Sequence, residues 1–380
     1  MTVLIEDSPR NLLAWITDAV GAGLATGGVV SPFVSPRRRV NNSRRCGQEI
    51  ADALVAAGAE IWFDATTHAL QMAGVGDFRH YLAWDLWGGP LGDLSTTANQ
   101  QEHVRRVFEV QRSLGAPLLG PSLLLHNPAS TDSQRALDLS AVATATGEGS
   151  WLTIAGTTPF WESGSALDAH VGALAQLNPP GWFVCVARPL GSIPVDATAR
   201  EVHGLCRTVR ALSEYAPVYV SHGDLAALPA IAAGATSLGT GWDQRQRVCA
   251  FGSYAARAGG DGGGWYERPT FPGLVGSLKP NEAALMSSQD PALTTRLGGL
   301  PPPGPKEAFT KHVTVLRDIT TRLARHPDLE HRCNELRAIY AAARTDWPIV
   351  VAVSGSPLGA DDWIEAAAAG LELYATDEGW

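Results

Sequence analysis

The chain has 380 residues, of which 45% are hydrophobic and 18% charged, a balance that excludes a wholly disordered protein. Its formal net charge of −9 at pH 7 excludes a protein that coats nucleic acid through its overall charge. The five cysteines are far apart and form neither a CxxC pair nor a Cys/His cluster with metal-ligand spacing, a pattern typical of buried thiols in a reducing compartment.

The sequence contains no recognisable targeting segment. The N-terminal stretch MTVLIEDSPRNLLAWITDAV begins acidic and lacks the basic segment followed by a long apolar segment that marks a signal peptide. No run of about 18 apolar residues, the length that a membrane-spanning helix needs, occurs in the chain. We therefore expect a cytoplasmic protein with no membrane partner.

From residue 28 onward, short apolar runs alternate with stretches of helical periodicity. The predicted strands are 28–34, 60–65, 116–125, 150–156, 181–187, 217–223 and 236–242. Continuously apolar strands indicate a sheet that is buried on both faces. The pattern predicts a (β/α)8 TIM-type barrel over residues 1–280, with an open doubly wound sheet as the alternative. An eighth strand is expected before residue 28 or near 270–278.

Residues 281–380 form a mainly helical C-terminal region that we expect to pack on the barrel. AFTKHVTVLRDITTRLARH, DLEHRCNELRAIYAAAR and DDWIEAAAAGLELYA each predict an amphipathic helix. WPIVVAVSG, residues 347–355, resembles a strand or a buried extended segment.

In a barrel of this type, ligands bind at the C-terminal ends of the strands. The polar and aromatic side chains that follow predicted strands are Asp64, His68, Trp161, Glu162, Arg188, His222, Asp224, Trp242, Asp243, Arg245 and Arg247. Each also has a purely structural interpretation, for instance a helix N-cap for Asp224 or a roof over the barrel for the tryptophans. No metal is predicted, although a site made by Asp64, His68 and His222 stays open.

Residues 36–45 read PRRRVNNSRR and concentrate five arginines in the loop after the strand at 28–34. Such a loop is either a solvated charged surface, a site that neutralises a phosphate-bearing substrate, or a contact with a partner or another subunit. The neighbouring Asn and Ser side chains favour phosphate or sugar oxygens as ligands. We therefore predict substrate binding by Arg37, Arg38, Arg39 and Arg44, and an assembly of several copies of the chain is compatible with the third interpretation.

The segment PVYVSHGDLAALPAIAAGATSLGTGW has the order strand, turn, helix, strand. Barrels that bind phosphate, including flavin barrels, use this order, because backbone N–H groups and a helix N-terminus hold the phosphate. Here an aspartate, Asp224, lies in the turn and would repel a phosphate. No cofactor is predicted, and FMN belongs to an alternative interpretation.

Over roughly residues 28–250 the chain resembles the tRNA-guanine transglycosylase superfamily. EIWFDATTHAL resembles the family's strand that ends in Asp-Ser-Gly-Gly-Phe, and GWFVCVARPLG resembles its strand ending in Gly-Gly-Leu. PVYVSHGDLAALPAIAAGATSLGTGWDQRQR resembles its last strand–helix–strand with the arginines that follow, and KHVTVLRDITTRL resembles its C-terminal histidine-containing helix. The family's cysteine-rich zinc site has no counterpart.

The resemblance implies an exchange of a base in a nucleic acid. One carboxylate attacks C1′ and expels the base, and a second takes a proton from the incoming base. Asp64 matches the proton-handling carboxylate. The position of the family's nucleophile falls on Gly239 or Thr240 here, so Asp243 is the candidate nucleophile.

These observations predict an enzyme that exchanges or modifies a base through carboxylate-mediated glycosyl transfer. Its catalytic residues are Asp64 and Asp243, and its partner is a nucleic acid or a phosphorylated small molecule. Besides the four loop arginines, the predicted substrate-binding residues are His68, Trp161, Glu162, Arg188, His222, Trp242, Arg245 and Arg247. The alternatives are a barrel enzyme that binds a flavin or another phosphate ligand, and a non-catalytic barrel that serves as a binding subunit.

Overall fold

The computed structural model describes residues 1–8, 13–39, 45–76, 78–193, 195–255 and 268–380. Parallel strands form one sheet that curls into a nearly closed (β/α)8 barrel, so the predicted fold class is confirmed. Its strands are β1 (Thr2–Glu6), β2 (Gly27–Val30), β3 (Glu60–Phe63), β4 (Leu119–Gly120), β5 (Leu124–Leu125), β6 (Trp151–Thr157), β7 (Trp182–Arg188), β8 (Val218–Ser221) and β9 (Ser237–Thr240). The order around the barrel is β3-β2-β1-β9-β8-β7-β6-β4, with β5 also on β6.

The eighth barrel strand lies before residue 28, which is one of the two positions predicted for it. β1 pairs in parallel with β2 on one side and with β9 on the other. The other position, 270–278, forms an antiparallel hairpin apart from the barrel sheet, made of β11 (Thr270–Phe271) and β12 (Gly276–Ser277). The barrel therefore begins at the second residue, and its first strand ends in Glu6.

Between β3 and β4 the sheet has no backbone pairing among the described residues, and a glutamine side chain bridges them. The side-chain amide of Gln111 donates to the carbonyl of Phe63 at 3.0 Å and to that of Leu119 at 2.9 Å. Its Oε1 accepts from the amide of Leu119 at 3.0 Å. Because Gln111 is fully buried, these bonds satisfy strand groups that water cannot reach.

Helices surround the sheet and follow the strands in alternation. They are α1 (Leu13–Gly21), α2 (Gly47–Ala56), α3 (Phe78–Leu82), α4 (Thr97–Leu114), α5 (Thr131–Thr146), α6 (Thr158–Trp161), α7 (Ser165–Ala175), α8 (Ala199–Ser213) and α9 (Leu228–Ala232). Short 3-10 helices at Thr67–Gln71, Asp224–Ala227 and Pro272–Leu274 begin close to strand ends.

After β9 the chain returns to the top of the barrel before the C-terminal helices. It forms α10 (Gln244–Arg247), β10 (Cys249–Ala250) and α11 (Phe251–Tyr254). β10 pairs in parallel with the end of β7, Cys249 opposite Ala187. This position is open because β8 ends at Ser221 and turns away, and it brings Cys249 over the barrel interior.

The C-terminal region is helical and packs on the barrel. It consists of α12 (Pro280–Gln289), α13 (Pro291–Arg296), α14 (Pro305–Ala324), α15 (Leu329–Ser354) and α16 (Asp362–Glu378). α14 contacts β1, α1 and α9, so it takes the place of the eighth outer helix of the barrel, and α16 packs on α8. None of the helices in the described ranges has the length and apolar composition that crossing a membrane requires.

The prediction of a strand or extended segment at 347–355 is wrong. Residues up to Ser354 continue α15, with Pro348 inside the helix. β-branched residues and a proline argue locally against helix. Burial of Trp347 and Val350, which lie on one helical face, outweighs that local preference.

The lower interior of the barrel is filled by apolar side chains. They are Leu4, Val29, Trp62, Leu119, Phe183 and Tyr219, with Trp151 against them. Successive inward positions on a strand are two residues apart. The next inward positions toward the C-terminal ends are therefore Glu6, Asp64, Cys185 and Ser221, where the lining changes from apolar to polar.

Candidate active site at the barrel mouth

Glu6, at the end of β1, is held in place by its neighbours on β8. Its Oε1 accepts from the hydroxyl of Tyr219 at 2.6 Å, from that of Ser221 at 2.9 Å and from the amide of His222 at 3.0 Å. The Nδ1 atom of His222 lies 3.6 Å from the same oxygen and 2.7 Å from the hydroxyl of Ser221. Glu6 is only 2% exposed, so its carboxylate is both buried and fixed in orientation.

Asp64 follows β3 and is buried with few partners. Its Oδ1 accepts from the amide of Thr66 at 2.7 Å, which is a local turn interaction. The side chain is 6% exposed and contacts no arginine or lysine among the described residues. The predicted carboxylate at this strand end thus points into the barrel mouth.

The other buried carboxylates of the chain each have a basic partner. Asp7 pairs with Arg45 at 2.6 Å, Glu201 with Arg188, Asp224 with Arg247 at 2.7 Å, and Glu282 with Lys279 at 3.4 Å. Within the described part of the chain, Glu6 and Asp64 are the buried acids that pair with neither an arginine nor a lysine, and Glu6 instead has the imidazole of His222 at 3.6 Å. An unpaired buried carboxylate is costly for the fold, which makes the two acids at the mouth candidates for function.

Two cysteines and a histidine meet beside these acids. One donor atom each of His68, Cys185 and Cys249 lies within 4.8 Å of the other two, and all three residues are buried. The sulfur of Cys249 is 3.9 Å from Nε2 of His68 and 3.8 Å from the hydroxyl of Tyr254. Asp64 and His222, which the sequence offered as co-ligands of His68, do not belong to this group.

The electrostatics of this group single out one thiol. A hydrogen bond from Cys185 lowers the pKa of Cys249 well below its usual value, against the effect of burial, and His68 lowers it further. The same hydrogen bond, with burial, raises the pKa of Cys185. Burial alone would lower the pKa of His68, but the hydrogen bond with Cys249 and its charge raise it. Cys249 is therefore the thiol that ionises first.

Backbone strain is concentrated at the same rim. Thr66, His222 and Asp224 have φ values of 51°, 50° and 47°, in the left-handed region that non-glycine residues rarely adopt. Each follows a strand end within a few residues. Strained residues of this kind cluster at functional sites, and these three lie at the ends of the two strands that carry Asp64 and the hydrogen-bond partners of Glu6.

The arginine loop is only partly as predicted. Arg37 is half-buried, Arg38 and Arg39 are exposed, and Arg39 pairs with Glu49 at 2.8 Å. Arg44 lies outside the described residues. Arg45 instead turns inward to Asp7 and to the carbonyl of Ser8. The loop thus offers both exposed arginines and one internal ion pair.

Two predicted tryptophans are core residues, which corrects their assignment to substrate stacking. Trp161 is fully buried and donates to the carbonyl of Gly156 at 2.8 Å. Trp242 is 3% exposed and meets Trp15 edge to face, at 5.7 Å between ring centroids. Neither ring has a free face for a base.

The charged residues predicted on the last strands are mostly engaged within the protein. Arg188 bonds to Glu201, and Glu162 accepts from Thr198. The carboxylate of Asp243 accepts from the hydroxyl of Ser8 at 2.7 Å and from the amide of Arg245 at 3.0 Å, as the N-cap of α10. Asp243 therefore has a structural role on both oxygens.

Asp224 is not the helix cap that its sequence position suggests. It is buried against Arg247, and its other oxygen is 2.8 Å from Nε2 of His312 on α14 and 2.8 Å from the hydroxyl of Thr240. Arg247 accordingly belongs to this internal network rather than to a substrate site. The turn is also a poor phosphate site, since α9 has five residues and Pro229 in its first turn lacks an N–H group.

The sequence did not predict three of the residues at the barrel mouth, Glu6, Cys185 and Cys249. Glu6 is absent from the predicted site because residues 2–6 were not recognised as a strand, although an apolar run that ends in an acid has the same form as the strand before Asp64. Cys185 and Cys249 were treated as scattered thiols. Period-two alternation along 181–187 could have placed Cys185 inside the barrel. No local sequence pattern indicates that β10, which carries Cys249, pairs with β7.

Comparison with known proteins gives little further guidance. No protein-family model matches the chain, and no curated protein matches it. Among solved structures, a psychrophilic family 10 endo-β-1,4-xylanase aligns with a TM-score of 0.37 and 9% identity, over 63% of this chain and 85% of that one. A D-allulose 3-epimerase from Methylomonas sp. aligns with a TM-score of 0.32 and 14% identity, over 63% and 83%. Similarity at this level carries no information about substrate or reaction.

Proposed function

We propose that this protein is an enzyme and that it catalyses carboxylate-mediated glycosyl transfer at the barrel mouth. The observation that carries the proposal is the pair of inward-facing buried carboxylates, Glu6 and Asp64, that lack the arginine or lysine partner found beside the other described buried acids. Glycosyl transfer commonly uses two carboxylates with separate roles, one at the sugar carbon and one at the leaving group.

Glu6 suits the role at the sugar carbon. Three donors hold its Oε1, while no described residue donates to Oε2. In the proposed step Oε2 attacks the anomeric carbon, a C–O bond to the enzyme forms, and the bond to the leaving group breaks with its electron pair. We assign this role to Glu6 rather than to Asp243, whose two oxygens are bonded to Ser8 and to the start of α10.

Asp64 suits the proton transfer. It gives a proton to the departing group and then takes one from the incoming acceptor, which attacks the anomeric carbon and releases Glu6. The single backbone hydrogen bond on Oδ1 leaves the other oxygen of Asp64 available for this exchange.

The substrate class proposed is a nucleoside unit, free or within a nucleic acid, with a base as leaving group. Two things support it: the resemblance of the strand ending in Asp64 to the base-exchanging family, and the exposed Arg38 and Arg39 in the loop after β2. Guanidinium groups bind phosphate with charge-assisted hydrogen bonds.

The activity is tested by incubating the protein with nucleosides, nucleotides, tRNA and nitrophenyl glycosides and measuring the released base or phenol. Base exchange is followed by incorporation of labelled guanine into tRNA. We expect E6Q and D64N to lower the rate at least about 100-fold, whereas E282Q, a matched change at a buried acid of α12, leaves it unchanged. Unaltered rates in E6Q and D64N would reject the assignment.

Binding is measured separately from chemistry. Fluorescent tRNA, single-stranded DNA and duplex DNA are titrated across a salt series with wild type and with a variant in which Arg37, Arg38 and Arg39 are serine. Affinity that falls steeply with salt and is lost in the variant supports a nucleic-acid substrate. Binding without turnover in any assay would favour a non-catalytic binding barrel instead.

A further inference from the structure

We propose that His68, Cys185 and Cys249 form a binding site for a transition-metal ion of the Zn²⁺ class inside the barrel mouth. The site is distinct from the carboxylate pair, and the inference does not depend on glycosyl transfer. It also differs from a cysteine-motif zinc site, because its ligands come from three separate segments: the 3-10 helix after β3, the middle of β7, and β10.

The geometry is close to what a tetrahedral ion requires. With Zn–S bonds of about 2.3 Å and Zn–N bonds of about 2.0 Å, neighbouring ligand atoms lie about 3.5–3.8 Å apart. The sulfur of Cys249 and Nε2 of His68 are 3.9 Å apart, and the donor atoms of the whole group are within 4.8 Å of one another. Shifts of up to about 1 Å would bring all three donor atoms into coordination distance.

The donor set selects the ion. Two thiolates and an imidazole prefer Zn²⁺ or a similar borderline-soft ion and disfavour Mg²⁺ and Ca²⁺, which require oxygen ligands. Three protein ligands also leave one tetrahedral position open, the arrangement of catalytic rather than structural zinc sites. The hydroxyl of Tyr254 lies 3.8 Å from the sulfur of Cys249.

The protein satisfies the ring of His68 only in part. Nε2 faces the sulfur of Cys249, whereas Nδ1 is buried and has no hydrogen-bond partner among the described residues. His103, by contrast, has both ring nitrogens bonded, to Leu86 and to Thr67. With Nε2 as the metal ligand, Nδ1 would be the nitrogen that a metal-bound histidine presents to an outer partner.

Two other uses of these residues fit less well. A Cys249–His68 nucleophile would use only two of the three donors that meet here. A Cys185–Cys249 disulfide would leave His68 without a partner in the mouth. A metal ion engages all three donors at once.

The test is metal analysis of the full chain. Protein expressed with added zinc is desalted and its metal content measured by mass spectrometry. We expect about one Zn²⁺ per chain in wild type, and at least a tenfold lower content in C185S, C249S and H68A. C206S, a change at a buried cysteine of α8, should keep the full Zn²⁺ content.

Cobalt substitution gives a readout that does not depend on activity. Addition of Co²⁺ to the metal-free protein should produce a thiolate-to-metal charge-transfer absorption that saturates at one equivalent and is absent in C185S and C249S. Circular dichroism of each variant shows whether it is folded, and C185S, which is nearly isosteric, is the least disruptive of them.

Three results would overturn the inference. One is the absence of metal and of the charge-transfer band in folded wild type. Another is a band that C185S and C249S retain. The third is titration, under denaturing conditions, of two fewer thiols than the five free cysteines of the chain, which would reveal a Cys185–Cys249 disulfide.

Discussion

The side chain of Gln111 pairs with the backbone of Leu119 as a neighbouring β-strand would, donating to its carbonyl and accepting from its amide. A third bond, to the carbonyl of Phe63, joins the two sides of the gap between β3 and β4. One helix side chain thus completes the barrel where the backbone ladder is interrupted.

We expect Q111L to lower the free energy of unfolding by about 3 kcal/mol or more, because three buried backbone groups lose their partners. Q111E should cost at least as much as Q111L, since its buried carboxylate would face two carbonyl oxygens to which it cannot donate. Urea unfolding measures the change. The control is Q100L, a change in the same helix, α4, that removes one hydrogen bond to the carbonyl of Leu94. It should lower the free energy of unfolding by about 1 kcal/mol. Equal losses in Q111L and Q100L would contradict the bridging role.

The buried pair of Asp224 and Arg247 fastens α14 to the barrel through His312. Burial alone would raise the pKa of Asp224, but the charge of Arg247 and the bond from His312 hold it well below its usual value. We expect R247A to cost about 3–5 kcal/mol, because it leaves a buried carboxylate without its cation. R207A, which breaks the exposed pair with Asp168, should cost less than about 1 kcal/mol. Similar values for the two variants would show that the buried network is not needed.

His103 makes stability depend on pH. Burial lowers its pKa from 6.5 to about 4, although the bond to the carbonyl of Leu86 opposes the shift. Between these pKa values the unfolded chain binds a proton that the folded protein does not, so stability is present above pH 6.5 and is lost as the pH falls. For this residue the loss from pH 7 to pH 5 is about 2 kcal/mol.

Urea unfolding of wild type and H103Q at both pH values isolates this contribution. Glutamine can both donate and accept but does not titrate, so the loss between pH 7 and pH 5 should be about 2 kcal/mol smaller in H103Q. The same loss in both proteins would show that His103 is not the responsible group.

Pro348 lies inside α15 on an exposed face. It lacks the N–H group that would bond to the carbonyl of Arg344, and its ring crowds that turn. We expect P348A to raise the free energy of unfolding by about 1–3 kcal/mol. T345A, one turn away on the same exposed surface, should change it by less than about 0.7 kcal/mol. A destabilised P348A would mean that the proline favours α15 in some way other than through its backbone.

Replacing either acid of the mouth, Glu6 or Asp64, should stabilise the fold and abolish the activity. D64N and E6Q remove buried charge but keep the oxygens that accept from Thr66 and from β8. We expect each to raise the free energy of unfolding by about 1 kcal/mol while abolishing turnover. D7N is the contrasting control, because it leaves the buried Arg45 unpaired and should be destabilising. Thermal unfolding of the three variants distinguishes these cases, and destabilised D64N and E6Q would assign both acids to the fold instead.

The sequence by itself determined the barrel, because each strand–helix unit carries its own local pattern. The eight strands from β2 to β9 overlap the seven predicted apolar segments, and the helices α14 and α16 lie where helical periodicity predicted them. Asp64 was likewise predictable at the mouth, since a residue that directly follows a parallel strand must lie at its C-terminal end.

Tertiary structure alone decided which of the polar residues meet. The sequence suggested a helix cap for Asp224 and a substrate contact for Arg247, and it placed His312 in a separate C-terminal helix. Packing of α14 on the barrel buries the three side chains together. Cys249 reaches Cys185 only because β8 turns away and β10 takes its place beside β7. Such contacts depend on where distant segments pack, and the residues that make them carry no local pattern, so the sequence predicts the barrel but not the partners inside it.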